Sequence, residues 1–87
     1  MSHREQALAA VREGWELHYE RQTPDPDLAL LDGDRLYADG LAALAEAGDL
    51  QGVRLLAELI TTCARAAAEG RPADAESAWH EAAEALR

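Results

Sequence analysis

The sequence has no phenylalanine, lysine or asparagine, one cysteine and only four aromatic residues in 87 positions. Valine and isoleucine together occur three times, so β-strands have few of the residues that favour them. The lone Cys63 cannot form an internal disulfide, which is typical of a reducing cytoplasm. No signal-like segment opens the chain, and no apolar run approaches the roughly 18 to 20 residues that span a bilayer. We therefore expect a cytoplasmic protein without a membrane span.

The charge is strongly one-sided, because eight basic residues, all arginine, face 17 acidic residues and leave a net charge of −9. Nucleic acids and anionic membrane surfaces select clustered positive charge, so the sequence disfavours both as partners. The abundant residues are alanine, with 20 copies, and leucine, with 13, which both favour helices. Alanine-rich, arginine-only usage is typical of GC-rich bacterial genomes. The length predicts one domain, residues 1–87, of a size that is marginal alone and often leans on a partner.

Caps and breakers divide the chain into helices. Ser2, Asp25 and Asp49 each carry a side chain that caps a helix start, and Ser2 also stands three residues before a glutamate, as in a capping box. Gly48 and Gly70 stand where left-handed helix ends are expected. The sequence therefore predicts an all-α, four-helix domain with helices over about residues 3–22, 26–47, 50–69 and 72–86.

The helices differ in how much of their surface is apolar. The first and last carry one narrow apolar stripe each, in which Trp15 and Trp79 are expected to anchor the core. The two central helices are apolar over more than half of their circumference. A helix of this kind must contact neighbours on two sides, so the pattern predicts contact with another chain.

Three residues of the second helix stand out. Gly33 and Gly40 lie seven residues apart on one side, where each glycine costs about 1 kcal/mol. They indicate close approach of another helix, although a stutter or kink is also possible. Asp34 falls among leucines, where a buried carboxylate must be paired, and Arg54, His18 or a tyrosine hydroxyl are candidate partners. We expect a core aspartate that holds two helices in register rather than a catalytic group.

The stretch from Leu30 to Leu41 reads Leu-Leu-Asp-Gly-Asp-Arg-Leu-Tyr-Ala-Asp-Gly-Leu. It resembles the trans-prenyltransferases (polyprenyl diphosphate synthases), which carry a Leu-x-x-Gly-Asp-x-Leu helix after their first aspartate-rich motif. The segment 66–70 is similar to the end of the next helix in that family. The resemblance covers about residues 28–70, and it implies that these two helices lie in a dimer interface.

The chain departs from that family in its chemistry. The region 4–20, where the first aspartate-rich motif would lie, contains no aspartate, and the second motif would fall beyond residue 87. Prenyl transfer needs metal ions to neutralise the diphosphate. The sequence therefore predicts a truncated relative that is not an enzyme, with no catalytic residue, no metal and no cofactor.

Other candidate chemistry is weak. His3, His18 and His80 lie on different helices without metal-ligand spacing. Cys63 falls within an apolar stripe, which favours an inert buried thiol.

The sequence predicts a non-catalytic protein-interaction module that self-associates, as a homodimer, or serves as an accessory subunit through helices 28–47 and 50–69. One alternative is a regulatory small subunit of a heteromeric prenyl diphosphate synthase, and another is a binder of a small apolar or isoprenoid ligand. A subunit of an unrelated complex is a further alternative. The predicted interface residues are Leu30, Gly33, Asp34, Tyr37, Gly40, Leu41, Leu44, Leu56, Leu59 and Ile60.

Overall fold

A computed structural model describes residues 2–87 and confirms the all-α fold with four helices in that range. Helix α1 covers His3–Trp15 and continues as a π-helical turn over Glu16–Glu20. Helix α2 covers Pro26–Glu46, α3 covers Leu50–Ala68 and α4 covers Pro72–Ala85. The predicted bounds of α2, α3 and α4 are confirmed to within one residue. Within residues 2–87, no helix combines the length and apolar character that crossing a bilayer requires.

The helix starts and ends follow the predicted signals. Side-chain oxygens of Ser2, Asp25 and Asp49 accept hydrogen bonds from backbone N–H groups three residues ahead, at 3.1, 3.1 and 3.0 Å. Gly48 and Gly70 have φ values of 76° and 68°, in the left-handed region that glycine enters without a steric penalty. Local chemistry therefore sets the positions of these helix boundaries.

The end of the first helix differs from the prediction. A regular helix to about residue 22 was predicted, but the α-helix ends at Trp15 and the next five residues form a π-turn. The N–H of Arg21 donates to the carbonyl of Glu16 at 2.8 Å, five residues back. The turn thus holds one residue more than an α-helical turn does.

Helices α1 and α2 pack with their backbones close together. A Cβ atom added to Gly14 would lie 2.8 Å from the carbonyl oxygen of Gly33. A Cβ on Gly40 would lie 3.0 Å from the carbonyl oxygen of Ala7. Because later residues of α1 meet earlier residues of α2, the two helices run antiparallel. The predicted close approach of a helix to Gly33 and Gly40 is made by α1 of the same chain.

The core draws side chains from all four helices. Trp15 and Trp79 are 6% and 8% exposed, which confirms their predicted place in the core. Leu44 and Leu56 are fully buried. The core cluster consists of Ala7, Val11, Trp15, Leu44, Leu56, Leu59, Cys63, Ala66, Ala75, Trp79, Ala82 and Leu86.

An ion pair joins the start of α1 to the turn between α2 and α3. The Arg4 guanidinium donates to both carboxylate oxygens of Asp49, with 2.9 Å between Nη2 and Oδ1. This hydrogen bonding, with that from the Gly52 N–H, lowers the pKa of the Asp49 carboxyl to about 2. A Cβ on Gly52 would lie 2.6 Å from Oδ2 of Asp49, so glycine leaves the room that the carboxylate occupies. Asp49 is therefore both the α3 cap and the tie to α1.

Candidate functional site

Helix α2 presents two opposite surfaces. Its inner face, Ala29, Gly33, Gly40 and Leu44, is buried. Its outer face consists of five exposed apolar residues that a rotation of about 100° per residue places within one sector. These residues are Leu28, Leu31, Ala38, Ala42 and Ala45. At about 1.5 Å per residue the outer face is about 26 Å long.

The exposed leucines of the chain lie on this helix and at the start of the next. Leu31 is 66% exposed and Leu28 is 52% exposed, although each is a large apolar side chain. Leu50, the first residue of α3, is 74% exposed, and Leu30 is 47% exposed. Leu28 and Leu31 lie one helical turn apart at the start of α2, and neighbouring exposed apolar side chains mark a contact surface more often than scattered single residues do.

Aspartates line both edges of the outer face. The helical rotation puts Asp27 and Asp34 along one edge and Asp32 and Asp39 along the other, with Arg35 and the exposed Glu46 between them. Within residues 2–87, no arginine or histidine lies within 4.0 Å of a carboxylate oxygen of Asp27, Asp32 or Asp39. The surface therefore carries apolar side chains interrupted by Arg35 and Glu46, and it has a negative border.

The predicted burial of Asp34 is wrong, because its side chain is 68% exposed. Its Oδ1 atom lies 3.2 Å from Nε2 of His18, which was one of the three predicted partners. The prediction placed Asp34 in the buried sector because leucines surround it. The buried sector is centred on Gly33 and Gly40 instead, so Asp34 falls at its edge.

His18 contacts α2 from within the π-turn. Its side chain is 9% exposed, and its Nε2 atom lies 3.0 Å from the Leu30 carbonyl as well as close to Asp34. Both neighbours are hydrogen-bond acceptors, so Nε2 carries the proton. The ring meets Tyr37 edge to face, with 5.0 Å between centroids. A Cβ on Gly33 would collide with this ring, so the contact depends on glycine.

Two further groups that could take part in chemistry are held in their protonated forms. Burial raises the pKa of the Tyr37 phenol, and neighbouring Tyr19 raises it further. Burial also raises the pKa of the Cys63 thiol, to about 11, and its Sγ atom lies 4.0 Å from the carbonyl oxygen of Ala75. Since the thiolate is the reactive form of cysteine, Cys63 is a poor nucleophile at neutral pH.

Acidic, histidine and cysteine side chains do not gather into a possible metal site. Over the part of the chain from residue 2 onward, no three such side chains are grouped so that they could hold a metal ion. A groove of about 470 Å³ lies between the π-turn and the start of α2, beside Leu17, His18 and Leu30. The predicted alternative of an isoprenoid ligand stays a prediction.

The predicted interface residues separate into three groups. Those buried within the chain are Gly33, Gly40, Leu44, Leu56 and Leu59. Those partly buried against the core are Tyr37, Leu41 and Ile60. Leu30 and Asp34 are exposed.

Sequence reasoning did not select Leu28, Leu31 and Leu50, the three most exposed leucines. The signal was the spacing of Leu28 and Leu31, which lie three residues apart on the side that also carries Asp32 and Arg35. Apolar residues among charges indicate an exposed apolar stripe, whereas a count of leucines around the helix does not separate this stripe from the core.

Comparison with known proteins finds no relative. No family model, no curated protein and no solved structure matches the chain. The resemblance of residues 28–70 to the trans-prenyltransferases therefore stays a prediction.

Proposed function

We propose that this chain is a non-catalytic protein-interaction module that binds through the outer face of α2 and the start of α3. The observation that carries the proposal is the exposure of Leu28, Leu31 and Leu50, each more than half open to solvent. Burial of one leucine side chain is worth roughly 1.5–3 kcal/mol, so a partner that covers the neighbouring Leu28 and Leu31 gains substantial binding energy. Leu50, at the far end of α2, extends the surface only for a partner that reaches both ends of that helix.

The internal packing supports this assignment. Gly40 and Leu44 serve the fold, because the first faces Ala7 of α1 and the second is fully buried. The side of α2 that remains for a partner is the outer face. The contact is therefore assigned to the same helices as the sequence predicts, but to a different side of α2.

The test is the mass of the intact assembly purified gently from its native host. We expect native mass spectrometry to find the 9.4 kDa chain in a heavier complex. The double variant Leu28→Asp/Leu31→Asp should release the partner, whereas Ser77→Asp, on an exposed site of α4, should retain it. Circular dichroism should show the same helix content in both. A chain recovered only at 9.4 kDa, or a complex that survives the double variant, contradicts the proposal.

The mass of the intact assembly also distinguishes self-association from binding to another protein. A multiple of 9.4 kDa identifies self-association. A second chain that carries both aspartate-rich motifs identifies a small subunit of a prenyl diphosphate synthase, and any other chain identifies a different complex. Gly40→Leu is unsuitable here, because a leucine side chain would collide with the Ala7 backbone and disturb the fold.

A further inference from the structure

We infer that the outer face of α2 docks a basic amphipathic helix of a partner protein. This inference rests on the proposed function and names the chemistry of the partner. It follows from the shape of the outer face, from the charges at its edges and from the lack of cations to balance them.

The shape fits one helix lying along α2. The apolar residues recur over about 26 Å of helix, with leucines in the first half and alanines in the second. Leu28 and Leu31 supply apolar bulk at one end. Ala38, Ala42 and Ala45 leave the backbone accessible at the other end, so a partner helix can approach closely there. An amphipathic helix recognises such a surface through apolar anchors three and four residues apart.

The charges call for a basic partner. Six arginines elsewhere in the chain lie within 4.0 Å of at least one carboxylate, namely Arg4, Arg12, Arg21, Arg54, Arg71 and Arg87. On α2, Asp27, Asp32 and Asp39 have no cationic neighbour within that distance among the described residues, and they lie together along one helix. Arginine or lysine on both sides of a partner's apolar stripe would supply the missing charges, and electrostatic complementarity of this kind gives specificity and fast association.

The same charges argue against a second copy of this chain on the outer face. Two copies would bring eight edge aspartates and two copies of Glu46 together with only two copies of Arg35. Like charges brought together at an interface are unfavourable. A basic helix that carries one carboxylate opposite Arg35 would instead bring opposite charges together across the interface.

The test measures binding of designed peptides to the full chain by fluorescence anisotropy. The probe is a helical peptide of about 18 residues, long enough to cover the outer face, with leucines at i, i+3, i+4 and i+7 flanked by arginine. Two control peptides carry glutamate in place of arginine, or the same residues in scrambled order. We expect the basic amphipathic peptide to bind, and each control to bind at least about tenfold more weakly.

Matched variants locate the binding site. Leu31→Asp should weaken binding about tenfold although it adds negative charge, whereas Ser77→Asp should change nothing. Asp32→Asn/Asp39→Asn should weaken binding roughly threefold and reduce its salt dependence. Glu13→Gln/Glu81→Gln removes two carboxylates that lie elsewhere, without an ion pair among residues 2–87, and should leave the affinity within about twofold.

Two results would overturn the inference. The first is absence of binding, or equal binding of the basic and control peptides. The second is insensitivity of peptide binding to Leu31→Asp. If the peptide does not bind but the chain self-associates in a way that Leu31→Asp abolishes, a second copy covers the face and the proposed function stands. If neither occurs and the host complex is absent, both proposals fail.

Discussion

The two faces of α2 differ in the size of their side chains in an unexpected way. The inner face, which is buried, is built around Gly33 and Gly40, whereas the outer face, which is open to solvent, carries Leu28 and Leu31. Burial on the inner side comes from backbone approach to α1 at the two glycines and from the Leu44 side chain in the core. The apolar area on the outer side contributes little within the chain. Hydrophobicity alone therefore does not identify the buried side of this helix.

The inner face is continuous from one end of α2 to the other. It begins where His18 lies over Gly33, passes the contact between Gly40 and Ala7, and ends where Asp49 binds Arg4. Each of these points joins α2, or the turn after it, to α1 or to the π-turn that follows α1. The outer face has no such partner within residues 2–87, and this difference predicts how substitutions on each side behave.

The largest effect is expected for Leu44→Ala. The side chain is fully buried, so its truncation should lower the free energy of unfolding by about 3 kcal/mol. The same change on the outer face, Leu31→Ala, should alter it by no more than about 0.5 kcal/mol, because that side chain is 66% exposed. Urea denaturation followed by circular dichroism measures both free energies of unfolding. Equal losses would show that the two faces contribute equally to the stability of the fold.

A smaller effect is expected for Gly33→Ala, which should cost roughly 2 kcal/mol. The added methyl group would collide with the His18 ring and lie 2.9 Å from the carbonyl oxygen of Gly14, a backbone atom that cannot turn away. Gly40→Ala is the control, since its contacts are 3.0 Å and alanine favours the helix by about 1 kcal/mol.

We expect Gly40→Ala to remain within about 1 kcal/mol of the parent in the same urea experiment. A Gly33→Ala protein as stable as Gly40→Ala would contradict the close packing of His18 on α2.

The smallest effect is expected for the pH dependence of stability that Asp49 contributes at the turn after α2. The pKa of the Asp49 carboxyl falls from an ordinary value of 3.8 to about 2, chiefly because Arg4 donates hydrogen bonds to it. A lowered pKa means that the ionised form stabilises the fold above about pH 4, and that this contribution is lost as the pH falls from about 4 to 2.

Thermal melts between pH 7 and 2 test this effect. The melting temperature of the parent should fall more steeply below pH 4 than that of Asp49→Asn, which has no carboxylate to protonate. Asp27→Asn, on an aspartate of α2 without an ion pair within residues 2–87, should keep the parental slope. Parallel curves for the parent and Asp49→Asn would show that the ion pair contributes no pH-dependent stability.

The elements whose signals are local could be predicted from the sequence. Asp25, Asp49, Gly48 and Gly70 act within a few residues of their own positions, so the bounds of α2, α3 and α4 were recoverable. The packing of the helices against one another could not be predicted in this way. The contact of Gly14 with Gly33 depends on two helices meeting, and a glycine adds no apolar signal to the pattern around a helix.

The π-turn could not be predicted from the sequence either, because the apolar spacing of the first helix continues across it. The burial of Asp34 was predicted wrongly for a related reason, since the leucines around it do not show which side of α2 faces the core. The predicted contact through α2 and α3 stays a prediction. The exposed side becomes recognisable only when α1 is known to cover the glycines.

The π-turn also fixes the direction in which its own side chains point from the helix axis. One additional residue in a helical turn rotates every later side chain by about 100°, a little more than a quarter of the circumference. His18 reaches Leu30 and Asp34 from within this turn. Deletion of Leu17, the residue before His18 in this turn, would therefore act on His18 as a rotation rather than a simple shortening, and would direct its ring away from α2.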